Sequence, residues 1–215
     1  MQASEIELKF PLADPVAFQH MLPALGFHLD TPRTFESNTL YDTPGREIRA
    51  RRQLLRLRQY GPLWTITHKR QPEELVASGP VAPGPTARFK VRIETETHVD
   101  DGEATAEIFG HLGYVPVFRY EKYRTEWSQM PLFAAERADG SVGHLVVDET
   151  PIGNYAELEG PTDWIDSMLE LLGVDPATCL TDSYGRLFQQ WKERTGSPAE
   201  HLTFASIQTP VLSMY

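Results

Sequence analysis

Arg88-Phe89-Lys90-Val91-Arg92-Ile93-Glu94-Thr95-Glu96 alternates strictly, with nearly every second residue charged. Period two is strand spacing, because successive side chains of a strand point to opposite faces. Phe89, Val91 and Ile93 therefore share one face, and Arg88, Lys90, Arg92, Glu94 and Glu96 share the other. A half-buried strand ordinarily carries scattered, mixed polar groups on its wet face. Here that face is entirely ionic. The pattern recurs elsewhere. Glu5, Glu7 and Lys9 share a face, as do Arg56 and Arg58, and Thr65, Thr67 and Lys69. Lys122, Arg124 and Glu126 lie on one side of 117–127, with Glu121 and Tyr123 on the other. Glu157 and Glu159 share a face, with Asp148 on the preceding strand.

Working outward, strands are expected at 5–10, 35–42, 54–59, 63–70, 89–98, 117–127, 143–148 and 155–159. Gly61-Pro62 marks a hairpin between the third and fourth. Asp14 and Pro15 open a helix over 14–25, whose end is blurred by Pro23. A short helix is expected at 46–51. Asp100 opens another over 101–112, and Gly113 ends it. Helices follow at 163–172 and 181–194. Residues 71–86 hold four prolines and two glycines, which predicts a mobile loop. Residues 1–195 form one domain, and 196–215 is expected to be a loosely held tail. Hairpins without a regular βαβ alternation predict an α+β fold with an antiparallel sheet or barrel.

The chain has 215 residues and a net charge of −10, which argues against sequence-blind nucleic-acid binding. Cys179 is the only cysteine, so an intrachain disulfide and a CxxC motif are excluded. The seven histidines show no zinc-site spacing. No apolar run is long enough to span a membrane as a helix, and the N-terminus shows no signal-peptide pattern. A cytoplasmic protein is the default expectation.

Two readings of the ionic faces compete. One is a solvated outer sheet surface with cross-strand ion pairs, each contributing at most about 1 kcal/mol. The other is convergence on the inside of a closed barrel, where about eight strands enclose room for one small ligand. Recurrence on six segments favours the second. Lys9, Arg56, Arg58, Lys69, Arg92, Lys122 and Arg124 would then clamp a polyanion. Glu5, Glu7, Glu94, Glu96, Asp148, Glu157 and Glu159 would suit hard divalent cations such as Mg²⁺ or Mn²⁺. A polyphosphate with its metal needs both sets.

The chain resembles the CYTH family, or triphosphate tunnel metalloenzymes, which includes class IV adenylate cyclases, thiamine triphosphatases and inorganic triphosphatases. The resemblance rests on an ordered series of motifs. Glu5-Ile6-Glu7-Leu8-Lys9 matches ExExK. Leu40–Pro44, Leu55–Arg58 and Trp64–Lys69 match the next segments in family order. Arg92–Glu96, Glu121–Arg124, Val147–Glu149 with Gly153 and Glu157–Glu159, and Ser183-Tyr184 complete the series. One departure is His68-Lys69-Arg70, which puts Arg70 where glycine is common.

The resemblance implies an eight-stranded antiparallel β-barrel, the triphosphate tunnel, with helices packed outside. Carried over by position, the seven cations bind triphosphate and the seven carboxylates serve the metals, with Glu5, Glu7 and Lys69 closest to the chemistry. It implies a small-molecule triphosphate as partner, no nucleic acid or membrane, and a monomer or homodimer. Water attacking the terminal phosphate would make a triphosphatase of inorganic, nucleoside or thiamine triphosphate, the reading favoured here. Attack by a ribose hydroxyl on the α-phosphate of ATP would make a cyclase releasing cyclic AMP and pyrophosphate. A non-catalytic polyphosphate or nucleotide binder is the third reading. Lys192 on the last helix is a solvated residue or part of a tunnel plug. Trp64 is a packing residue or a platform for an organic ring.

Overall fold

The computed structural model describes the backbone of residues 2–72, 89–129 and 143–207, and their side chains except those of residues 2–5 and 90. Its strands are β1 (Gln2–Leu12), β2 (Phe27–Asp42), β3 (Leu54–Tyr60), β4 (Leu63–Arg70), β5 (Lys90–Val99), β6 (Val115–Gln129), β7 (His144–Thr150) and β8 (Gly153–Glu159). They close in the order β1-β5-β4-β3-β2-β6-β7-β8, and every pair is antiparallel. The expected barrel is therefore observed. The expected mobile loop falls largely on 73–88, with Arg88, outside the described residues.

The first two strands differ most in extent from expectation. β1 begins at Gln2. β2 begins at Phe27, eight residues before the expected start. Polar residues and Pro32 interrupt the alternation over 28–34, yet β6 pairs with this stretch through register shifts near Leu29, Thr31 and Thr34. Such irregularities are β-bulges, which let an imperfect strand follow a barrel's curvature. Tertiary pairing overrides the local pattern.

Helix α1 (Pro15–Met21) starts where Asp14 accepts hydrogen bonds from the amides of Val16 and Ala17, and a 3₁₀ turn (Leu22–Leu25) continues it. The short α2 is Glu47–Ala50. Helix α3 (Gly102–His111) is capped by Asp101 and lies against the outside of the barrel at Trp64. A Cβ on Gly102 would lie 2.0 Å from the Trp64 ring, so Gly102→Ala forces α3 off the barrel. Such overpacking costs about 1–3 kcal/mol, and an unchanged urea midpoint would contradict this packing. Trp64 is thereby a packing residue of the outer wall.

Helix α4 (Thr162–Leu172) buries Trp164, Ile165, Met168, Leu169 and Leu172. They meet Leu8 and Phe10 of β1, Leu145 and Val147 of β7, and Ala156 and Leu158 of β8 in one core. These are the apolar faces of strands whose opposite faces are ionic. Burial of one such side chain contributes about 1.5–3 kcal/mol, which is what holds the ionic faces inward.

Helix α5 (Tyr184–Thr195) is capped by the Ser183 hydroxyl. Its Tyr184, Leu187 and Phe188 pack with Leu202 against Phe118, Tyr120 and Tyr155 of β6 and β8. Lys192 lies over the Phe188 ring and is not among the residues lining the cavity. The described part of the tail is docked, where the sequence predicted it loosely held. Leu202 is fully buried and exchanges backbone hydrogen bonds with Arg119 and Glu121 of β6. The amide of Phe204 donates to the Glu121 carboxylate. Ala199 and Ile207 pack in the same cluster as Leu202, and the Phe204 ring meets Tyr123, contacts that the segment's composition does not announce. Residues 208–215 lie outside the described residues.

Candidate active site

The strand registers place the ionic residues on one side of the wall, facing a cavity of about 1140 Å³. All seven expected cations line it: Lys9, Arg56, Arg58, Lys69, Arg92, Lys122 and Arg124. Of the expected carboxylates, Glu7, Glu94, Glu96, Glu157 and Glu159 line it as well. Glu5 pairs with Arg92 on the β1–β5 ladder, and its side chain is outside the described set. Asp148 is not in the lining. It is fully buried behind Lys122 and Arg124.

The lumen has a deep and a shallow half. In the deep half, Asp148 accepts from Lys122 Nζ at 2.8 Å, from Arg124 Nε at 2.8 Å and Nη2 at 2.7 Å, and from the Tyr184 hydroxyl at 2.6 Å. Four donors on two oxygens leave this carboxylate little capacity for a metal. In this arrangement it holds two cations in place. Glu157 bridges Lys9 and Arg124, the latter at 2.7 Å. Burial acts to raise the Glu157 pKa, but Lys9 and Arg124 outweigh it and hold the carboxyl well below its ordinary value. Burial, with Asp148 and Glu157 nearby, pushes the Tyr184 phenol well up. Tyr184 therefore stays a neutral donor, with Lys9 Nζ 4.3 Å from its ring centroid, within cation–π range.

Sequence reasoning missed Glu36, a fully buried acid on β2. It lies 3.5 Å from Lys122 Nζ and 4.0 Å from Arg124 Nε. Burial acts to raise its pKa, while Lys122, Arg124, Arg58 and Arg56 lower it to about 2. The available signal was its parity: Glu36, Asn38 and Leu40 occupy one face of β2, and their partners Lys122, Tyr120 and Phe118 line the cavity.

The shallow half is more exposed at Lys69, Glu94 and Glu96, although Arg56 is as buried as Arg124. Lys69 pairs with Glu94, and Glu96 lies 3.3 Å from Arg58 and 3.7 Å from Arg56. Arg56 is fixed at both terminal nitrogens, by Thr67 at 3.0 Å and by Tyr120 at 3.3 Å. Among the described residues, Nε of Arg56 and Nε of Arg58 are buried and have no hydrogen-bond partner. Buried charged donors left in that state are costly, and an anion in the lumen would satisfy them.

Metal fit rests on the donor set. The lining carboxylates are hard oxygen donors, and Glu7 stands directly opposite Glu159 on the β1–β8 ladder. Like charges in that arrangement repel, which a divalent cation would relieve. Among the described residues, no three His, Cys, Asp or Glu side chains form a ready metal cage. A Mg²⁺-like ion would complete its shell with water and phosphate oxygens, as that ion commonly does.

A family model for the CYTH domain matches residues 3–171. The chain belongs to the CYTH domain family. Its members' fold recurs in solved structures. A Vibrio parahaemolyticus protein, provisionally named an adenylate cyclase, aligns at 19% identity with a TM-score of 0.63, covering 86% of this chain and 97% of that one. A Pyrococcus horikoshii protein aligns at 19% identity and a TM-score of 0.58, covering 87% and 98%. A Hippeastrum protein, described as an adenylyl cyclase candidate with a dominant triphosphatase activity, aligns at 18% and 0.57, covering 89% and 96%. At these identities the likeness is one of fold. No functionally curated protein matches. Among the described residues, no helix is long and apolar enough to cross a membrane.

Proposed function

We propose that this CYTH domain protein is a divalent-metal-dependent triphosphatase that hydrolyses the terminal phosphate of an inorganic, nucleoside or thiamine triphosphate. The observation that carries the reading is the convergence of the seven expected cations on one lumen, where two buried arginine Nε donors have no hydrogen-bond partner among the described residues. Phosphate oxygens satisfy both donors, and fixed guanidinium forks match their geometry.

Phosphoryl transfer depends mainly on positioning and charge stabilisation. Arg56, Arg58, Lys69 and Arg92 grip the chain from the shallow half. Lys9, Lys122 and Arg124, held by Asp148 and Glu157, grip it from the deep half. Lys69 would stabilise charge developing on the phosphoryl oxygens. Glu5 and Glu7 orient the attacking water. Mg²⁺ or Mn²⁺, held by Glu5, Glu7, Glu94, Glu96 and Glu159, would neutralise phosphate charge and acidify a bound water.

The test is incubation with tripolyphosphate, ATP or thiamine triphosphate and Mg²⁺ or Mn²⁺. Phosphate release is expected, and excess EDTA should abolish it. Cyclic AMP with pyrophosphate would replace this reading with the cyclase. Tight binding without turnover would leave only a binder.

A further inference from the structure

We propose that Glu36 is a positioning residue acting through Lys122 and Arg124: its fixed negative charge weakens the lumen's hold on phosphate chains so that product can leave. The inference rests on the lumen being a polyphosphate site. Glu36 is unlike the other deep acids. Asp148 and Glu157 make short, direct hydrogen bonds to the cations. Glu36 stands farther off, at 3.5 and 4.0 Å from the same two residues. Its Oε1 accepts a hydrogen bond from a neutral group, the Asn38 amide, at 2.8 Å. Its Oε2 has no hydrogen-bond partner among the described residues. It is also fully buried and absent from the lining, so it touches neither substrate nor solvent. A clamp built for geometry alone would not place a charge there. Its effect is electrostatic: one negative charge behind a cluster of Arg56, Arg58, Lys122 and Arg124.

A cost of seven cations is retention. Contacts that hold substrate, transition state and product alike do not raise kcat. A charge deep in the wall lowers that uniform grip without obstructing the path. Asn38 fixes the carboxylate so that it does not swing forward to displace the substrate from Lys122.

Glu36→Gln keeps the shape and removes the charge. With EDTA present, titration of tripolyphosphate into the variant should give a Kd about tenfold lower than wild type, equivalent to about 1.4 kcal/mol. In turnover, KM and kcat should fall together, with stronger inhibition by phosphate and pyrophosphate. Glu36→Asp keeps the charge and should bind within about twofold of wild type. It also serves if Glu36→Gln does not fold. A scaffold role predicts the opposite sign, since splayed cations bind more weakly. Unchanged or weaker binding by Glu36→Gln, or a large change in Glu36→Asp, overturns the inference while leaving the triphosphatase reading intact. Failure of the wild-type protein to bind tripolyphosphate, ATP or thiamine triphosphate, with EDTA or with Mg²⁺, overturns both.

Discussion

Arg56→Ala lowers kcat/KM for the preferred triphosphate by about 1000-fold, the scale of losing one preorganised charge-stabilising donor in a water-poor site. The reason is local. Thr67 and Tyr120 hold the terminal nitrogens of Arg56, so the guanidinium is set before substrate arrives. Its Nε has no hydrogen-bond partner among the described residues. Alanine removes this prepaid geometry and leaves Glu96 with Arg58 as its remaining arginine within salt-bridge range. Arg56→Lys recovers little, because an ammonium has no fork and no Nε to offer. The check is steady-state kinetics on both variants alongside their thermal midpoints. The lost pair with Glu96 is 3.7 Å long, so stability should change far less than activity. Turnover near wild type in Arg56→Ala, with the fold intact, would remove the clamp from the lumen.

The barrel was legible because its strands break an ordinary rule. Alternation over 88–96, 54–58 and 5–9 assigned the faces, and recurrence of ionic faces separated a lumen from a wet surface. Every expected cation lines the cavity. Residues whose strand face was not marked as ionic by their neighbours were not legible. Glu36 looked like one polar residue on a half-buried strand. It becomes part of the site because β6 sets Lys122 opposite it. Asp148 shares a face with the lumen residues, so spacing cannot distinguish a metal ligand from a carboxylate saturated by Lys122, Arg124 and Tyr184. That distinction requires distances. The N-terminal half of β2 and the docking of Leu202 were hidden for a related reason: both depend on a partner distant in sequence.

These distances also divide the fourteen expected site residues by task. Asp148 holds the deep cations, whereas Glu7 and Glu159 face each other across one ladder and line the cavity. The charge of −10 therefore describes the molecule as a whole and says little about the lumen, where acids and bases are interleaved.

Glu157→Ala should abolish turnover and also destabilise the protein, which separates it from Arg56→Ala. Glu157 joins Lys9 to Arg124 with 6% of its side chain exposed. Removing it leaves two buried cations short of one partner, and breaking a buried pair costs about 3–5 kcal/mol. For a domain of this size that lowers Tm by about 10 °C. Glu157→Gln keeps the volume but not the charge, so it should recover part of the stability and little of the activity. The same carboxylates set the acid limit of the fold. Glu157 and Glu36 have depressed pKa values in the folded protein, Glu36 to about 2 from 4.5. Their stabilisation is thus complete above the unfolded carboxylate range and lost as pH falls from about 4.5 towards 2. Wild-type stability should fall through that window, and the fall should be shallower in Glu157→Gln, which has one fewer carboxylate to protonate. Equal acid sensitivity in the two proteins would show that the deep network does not govern acid unfolding.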